Sequence, residues 1–431
     1  MTILYDLIYM AAVSVLWPLL VWRRIRRGPG SISLRERLGG VPSRAVSARC
    51  VWIHGVSLGE INATRTLVAE LHKRSPEMCV VISSTTQTGL ARARQLYPGY
   101  TVFRFPLDFS FIIRRLLNRI RPTVIVLMEL ELWPNLTEIA GQRGIPLVIA
   151  NGRVTEGKSM RRFGHPLVRW AARRMFGKVR WVAAQDETHA SRFVKLGALE
   201  RRVTVCGSLK YDSADISDRI DGEDELAEAM TIDRGKPLLV CGSTGPGEEA
   251  LLLDAYERIL AAHATLQLVL VPRKPERFDE VAELIHERGF TCLRRSGKPP
   301  LVPAERAEPT AVFLGDTLGE LRVFYSLASV VFVGRSLIPM GGSDVMEAAA
   351  LAKPVLVGPH TDNFVEPVSA LLSSGGCLRA ASTDELARQV GELLADPQRC
   401  STMAAAARRT IVERRGATAR IVERVIELCS V

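Results

Sequence analysis

From Cys50 onward the sequence alternates short β-rich runs with amphipathic stretches, and that alternation constrains the fold more than any other feature. "CVWIHGV", "CVVISST", "TVFRFP", "TVIVLME", "IPLVIANG", "WVAAQD" and "RVTVCGSL" are short apolar or β-branched runs. Segments between them, such as "FIIRRLLNRI", carry apolar residues three and four apart, the spacing of one helix face. Repeated strand–helix–strand units imply a parallel sheet covered by helices. Near Ser213 the pattern stops. "SADISDRIDGEDELAEAM" is acidic and lacks a strand signal, and "RGKP" then opens a new strand, "LLVCGST". Alternation resumes through "LQLVLVP", "AVFLGD", "VVFVG" and "PVLVGP". A chain of 431 residues is expected to build two cores rather than one. The sequence therefore predicts an α/β fold with two Rossmann-like domains facing a cleft. Their expected bounds are 28–212 and 236–403, with a linker at 213–235 and a basic helical tail at 404–431 that packs back on the first domain.

The first 27 residues read differently. "LIYMAAVSVLWPLLVW" (Leu7 to Trp22) is uncharged and apolar, and "RRIRR" follows at once. A cleaved signal peptide carries its positive charge before the apolar run. Here the charge comes after it, so residues 1–27 are expected to be a membrane anchor with a basic flank. The positive-inside rule then keeps the rest of the chain in the cytoplasm. Asp6 and Pro18 interrupt the run, which leaves both a single-pass and a monotopic anchor open. The net charge of +11 suits an acidic partner such as a phosphorylated substrate or an anionic lipid surface. No nucleic-acid-binding motif accompanies it. The eight cysteines form no C-x-x-C pair and several lie inside apolar runs, so they are expected to be buried free thiols. No metal-ligand spacing occurs among the seven histidines.

Several strand ends carry chemically capable residues. "WIHGVSLGE" joins a buried strand to a helix through a tight loop, and Glu60 stands at the helix start. Such strand-to-helix turns are where α/β sheets bind ligands. "VLMELELWPN" places Glu129 and Glu131 after a strand; by strand alternation the two face opposite sides. "GSLKYD" puts Lys210 at the end of the first half. "LLVCGSTGPGEE" is a strand, a Gly-rich turn and a helix. Ser243, Thr244 and the amides near Gly245 and Gly247 are placed there to meet an anion. In "LVPRKPERF", Arg273 follows a strand directly, where a guanidinium fork suits phosphate or carboxylate. In "FVGRSLIPMGGSDVMEAAALAKPVLVGP", Asp344 reads equally as an N-cap, and Glu347 as a ribose-holding acid or a capping-box partner.

Taken in order, "WIHGVSLGE", "ELELWPN", "GSLKYD", "GST..GEE", "PRKPERF", "DTLGEL" and "GG..VMEAAALAKPVLVGPHTDNF" resemble the Kdo transferase family across nearly the whole chain. These enzymes transfer 3-deoxy-D-manno-octulosonic acid (Kdo) to a lipid A precursor in lipopolysaccharide biosynthesis. The resemblance implies a GT-B glycosyltransferase that uses CMP-Kdo, inverts the anomeric centre and needs no metal or other cofactor. It also implies work at the cytoplasmic face of the inner membrane. Carried over by motif, Glu60 matches the general base, and Glu129 and Lys210 match transition-state stabilisers. Ser243 and Thr244, Pro272 and Arg273, Leu318-Gly319-Glu320 and Asp344-Val345-Met346-Glu347 match the CMP-binding segments. The chain departs from the family pattern at Gly245-Pro246, Lys274, Arg335, Ser343-Asp344 and Gly152, mostly around the donor segments. Two alternatives remain open to the sequence. One is another GT-B enzyme that uses a UDP-sugar; the other is a non-catalytic membrane-bound homologue that binds lipid A precursors.

Overall fold

A computed structural model describes residues 1–27, 34–44, 48–298 and 310–430. The expected start of the first domain at residue 28, and the side chains of the basic flank Arg23–Arg27, lie outside the described residues. The chain divides into two compact units, Met1–Ser213 with Arg414–Val431, and Ala214–Glu413.

Unit 1 is built on a seven-stranded sheet in the order β3-β2-β1-β4-β5-β6-β7. Its strands are β1 Cys50–Gly55, β2 Cys79–Ser84, β3 Thr101–Arg104, β4 Val124–Met128, β5 Leu147–Gly152, β6 Trp181–Ala184 and β7 Val203–Val205. All pairings are parallel. Helices cover both faces of such a sheet, so its strands read as continuous apolar runs. "VIVLM" of β4 is buried at every position. His54 of β1 is buried too. It is bonded through Nδ1 to Ser83 Oγ at 2.8 Å, and burial lowers its pKa to about 3, so it is a neutral core residue.

Unit 2 repeats the design with β8 Leu238–Thr244, β9 Gln267–Pro272, β10 Thr291–Arg294, β11 Ala311–Leu314, β12 Val330–Val333, β13 Val355–Val357 and β14 Cys377–Arg379. The order is β10-β11-β9-β8-β12-β13-β14, again parallel. In each sheet the strand order reverses beside the first strand, between β1 and β4 and between β8 and β12. The carboxyl ends of those strands flank the crevice where open α/β sheets take ligands.

Two boundaries fall elsewhere than the sequence suggests. Residues 213–235 are not a bare tether. Glu223–Ala229 is a helix with Leu226 and Ala227 buried, and Glu223 pairs with Arg219 at 3.0 Å and Arg234 at 3.2 Å. At the other end the Pro397–Glu413 helix stays in unit 2, and only Arg414–Val431 joins unit 1. There the Ala417–Ser430 helix buries Ile421, Val422, Val425 and Leu428 in the unit 1 core.

The N-terminal helix spans Thr2–Arg27 and belongs to unit 1. Asp6 accepts from Ser110 N at 2.8 Å and Asn135 Nδ2 at 3.0 Å, at the starts of the Ser110–Ile120 and Pro134–Gln142 helices. A carboxylate is favoured there by the unsatisfied amides of a helix N-terminus. Ile3, Leu4, Leu7, Ile8, Met10, Val13 and Val15 remain exposed. Among the described residues, no helix is long and apolar enough to cross a membrane. All eight cysteines are free; Cys79 and Cys400 are half-buried and the rest are buried.

Candidate active site

In unit 1, Ser57 caps the Leu58–Arg74 helix and Glu60 completes a capping box. The Glu60 carboxylate accepts from Val56 N at 2.9 Å, Ser57 N at 3.2 Å and Ser57 Oγ at 2.8 Å. These donors fix its orientation. The cap does not hide it. Glu60 lines a cavity of about 310 Å³ together with Glu129, Leu130, Glu131, Arg153, Thr155, Ser159, Arg162 and Phe163. The acid at the helix start therefore both caps the helix and faces open space.

Glu129 and Glu131 share that cavity, contrary to the opposite facing expected from strand alternation. The reason is local. β4 ends at Met128, and Glu129 takes a left-handed φ of +54°, so period-two alternation stops before either acid. Non-glycine residues in this region store strain, and such strain gathers at functional sites. Burial first, then the Glu60 charge, raises the Glu129 carboxyl above its ordinary range, while Arg153 and Lys210 pull it back. Burial and the Glu60 charge push Glu131 up to about 7, with Arg162 opposing. Three acids thus share the cavity with two arginines, and Glu129 and Glu131 hold their protons more tightly than usual.

Lys210 stands exposed on the short Leu209–Ser213 helix after β7, rather than on a strand end. Asn151 at the end of β5 has a φ of +55° and accepts from Leu209 N at 3.2 Å, which fixes where that helix begins. Sequence reasoning missed Arg153, Arg162 and Asn151. "NGR" directly after an apolar strand was the available signal for two of them.

Unit 2 gathers its candidates at the ends of β8, β9 and β12. Ser243 has a φ of +57°, and its carbonyl lies 3.4 Å from Ser343 Oγ. Thr244 is buried and donates from Oγ1 to Glu249 at 2.7 Å; Glu249 in turn holds Arg277 at 2.7 and 3.0 Å. Gly245 N donates to Glu248 Oε2 at 3.1 Å, so this amide, expected to meet an anion, is occupied by the protein's own carboxylate. Pro272 is the buried last residue of β9, and Arg273 follows it in solvent. Leu318 is exposed and Gly319 has a φ of +90°. The Glu320 carboxylate is held low by Arg295, bonded at 2.8 Å, against partial burial and with help from Thr317.

The helix of the richest stretch starts at Met346, with buried Val345 before it, and not at Ser343-Asp344. Asp344 accepts from Met346 N at 2.9 Å, as a capping acid does. Glu347 makes no capping bond at the N-cap. Its side chain reaches solvent, yet surrounding protein excludes enough water that desolvation, then the Asp344 charge, raises its carboxyl. Arg322 and Arg273 act in the opposite sense. Under this cluster the Tyr325 hydroxyl is fully buried without a hydrogen-bond partner among the described residues. It approaches β8 at Gly242, where any Cβ would collide with the ring.

Residues 33–213 match the family described as 3-Deoxy-D-manno-octulosonic-acid transferase (kdotransferase). The chain is 35% identical over 376 residues to the 3-deoxy-D-manno-octulosonic acid transferase of Haemophilus influenzae, covering 86% of each protein. It is 34% identical over 436 residues to the Bordetella pertussis enzyme of the same name, covering 97% of each. A glycosyltransferase from Rickettsia africae superposes on 89% of this chain and 98% of its own, with a TM-score of 0.57 and 12% identity, which shows a shared two-domain GT-B fold. On this sequence identity over most of its length, the chain belongs to the Kdo transferase family of glycosyltransferases.

Proposed function

We propose that this chain moves Kdo from CMP-Kdo to a lipid A precursor of the lipid IVA type, inverting the anomeric centre without a metal. The observation that carries the reading is the shared cavity of Glu60 and Glu129 at the β1–β4 switch point. The acceptor sugar hydroxyl gives its proton to Glu60 as its oxygen bonds to the donor's anomeric carbon. The bond from that carbon to the CMP phosphate breaks, and CMP leaves with the electron pair. Glu60 is oriented for this by its three donors. Glu129 suits the oxocarbenium-like charge of glycosyl transfer. Lys210 and Arg273 supply positive charge toward the departing phosphate. Asp344, Glu347 and the Leu318–Glu320 segment hold the nucleotide. One incubation of purified protein with CMP-Kdo and lipid IVA, followed by mass spectrometry of the lipid, tests the reading. Addition of Kdo is expected; an unmodified lipid beside an active control enzyme contradicts it.

The anchor and the site of action belong to the same proposal. The protein works at the cytoplasmic face of the inner membrane, held by its N-terminal helix in a single-pass or monotopic way. Supporting this are the exposed Leu7, Ile8 and Val15 on that helix and the exposed Phe111. Phe111 contacts Phe109 at 5.9 Å, and Phe109 contacts Tyr9 of the helix at 5.8 Å. Replacing Leu7 and Ile8 with Asp is expected to reduce sedimentation with anionic vesicles at an unchanged thermal midpoint. Undiminished sedimentation would remove the helix from this role.

A further inference from the structure

Arg335 follows the end of β12, beside β8 at the switch point of the second sheet, and the reading above gives it no part. Its backbone has a φ of +60°, a region that glycine enters far more easily. The main chain is clamped there from both sides. Arg335 N donates to Glu248 Oε2 at 2.5 Å, and its carbonyl accepts from Gly342 N at 2.8 Å. Ser336 N and Leu337 N donate to the other oxygen of Glu248, each at 2.9 Å. The aliphatic stem lies over the β8 turn, for a Cβ at Gly245 would stand 3.0 Å from Arg335 Cγ.

The guanidinium has no such support. Its Nε is buried without a hydrogen-bond partner, and no carboxylate pairs with it among the described residues. A buried donor left unpaired is costly, and the cost is relieved where a ligand brings the acceptor. On the other side of β8, at the end of β9, Arg273 is exposed and forms no ion pair among the described residues. Two guanidinium groups without a contact ion pair among the described residues thus flank the β8 turn from its two neighbouring strands, although the Arg273 charge is felt by Glu347.

We propose that Arg335 is a donor-binding residue whose guanidinium forks an anionic group of the sugar nucleotide, at the β8–β12 switch point and opposite Arg273 across β8. The inference rests on the nucleotide-sugar reading of this unit. A sugar nucleotide such as CMP-Kdo offers two oxyanions, the phosphate and the sugar's own carboxylate, and each presents a pair of oxygens that a bidentate guanidinium suits.

The test uses the full chain, the variants Arg335→Gly and Arg335→Lys, and three measurements. These are calorimetry with cytidine and with CMP, the KM for CMP-Kdo, and the thermal midpoint. Glycine accepts the backbone conformation, so Arg335→Gly is expected to keep or raise the midpoint. If the phosphate is held, Arg335→Gly weakens CMP binding about 10–100-fold, leaves cytidine unchanged, and Arg335→Lys recovers part of the loss. If the carboxylate is held, CMP affinity is unchanged and the KM for CMP-Kdo rises by a similar factor. Unchanged CMP affinity together with unchanged KM overturns the proposal. So does a lowered midpoint with ligand affinity intact, which would make Arg335 structural. A wild-type chain that binds neither CMP nor CMP-Kdo overturns the donor reading itself, and this proposal with it.

Discussion

Glu60 and Glu248 stand at matching places in the two halves of this chain. Each lies in the first turn of the helix that follows the first strand of its sheet, β1 in one unit and β8 in the other. Glu248 is fully buried and spends both oxygens on backbone amides of Gly245, Arg335, Ser336 and Leu337. Its neighbour Glu249 is equally buried and paired with Arg277. Glu60 uses its oxygens only within its own cap, stays half-exposed, and faces a cavity with two further acids. One fold position thus serves two ends. In unit 2 the acid staples together the loops that present Ser243 and Arg335, and in unit 1 it faces an open cavity. What decides is the surroundings of the carboxylate, not its place in the helix.

The comparison is broken or sharpened by replacing each acid in turn. Glu248→Ala leaves four backbone amides without an acceptor and is expected to cost about 3–5 kcal/mol of stability. Denaturant unfolding measures it; a loss under about 1 kcal/mol would show that the loops do not need their staple. Next in size are Glu347→Ala and Arg273→Ala, each expected to weaken CMP binding about tenfold with the thermal midpoint kept. Calorimetry that finds both unchanged would move the nucleotide site elsewhere in unit 2.

The smallest effect concerns Glu131. Its carboxyl titrates near 7 in the folded chain, against about 4.3 when unfolded. The folded state therefore binds this proton more tightly. Its stabilising contribution is full below about pH 4 and is lost as pH rises through 7. Glu131→Gln lacks that loss. The variant is expected to match wild type at pH 4 and to exceed it by roughly 1–3 kcal/mol at pH 8. A constant difference across that range would place the elevated titration elsewhere.

Much of this was legible because parallel strands buried on both faces announce themselves as apolar runs. "VIVLM" and "LLVCGST" are strands where the sequence expects them. The division after Ser213 was readable for the same reason, since alternation stops there. Strand ends were less legible. Glu129 and Glu131 converge because one residue adopts a left-handed backbone, and nothing in "MELELW" signals that turn. The occupied amide of Gly245 was equally hidden, because "GEE" reads as a helix start whether its acids point outward or fold under the loop. Arg153 and Arg162 enter the cavity from segments far along the chain from Glu60, a proximity that only the sheet order creates.

The claim that Glu60 acts in the chemistry while Glu248 holds the structure is tested most directly by single-turnover transfer with Glu60→Gln. The reaction is followed from CMP-Kdo to lipid IVA, with CMP affinity and the thermal midpoint measured on the same sample. The account predicts a rate lower by about 10²–10⁴ with CMP affinity and midpoint near wild type. Wild-type turnover from a folded Glu60→Gln protein would contradict it and leave Glu60 as the helix cap alone.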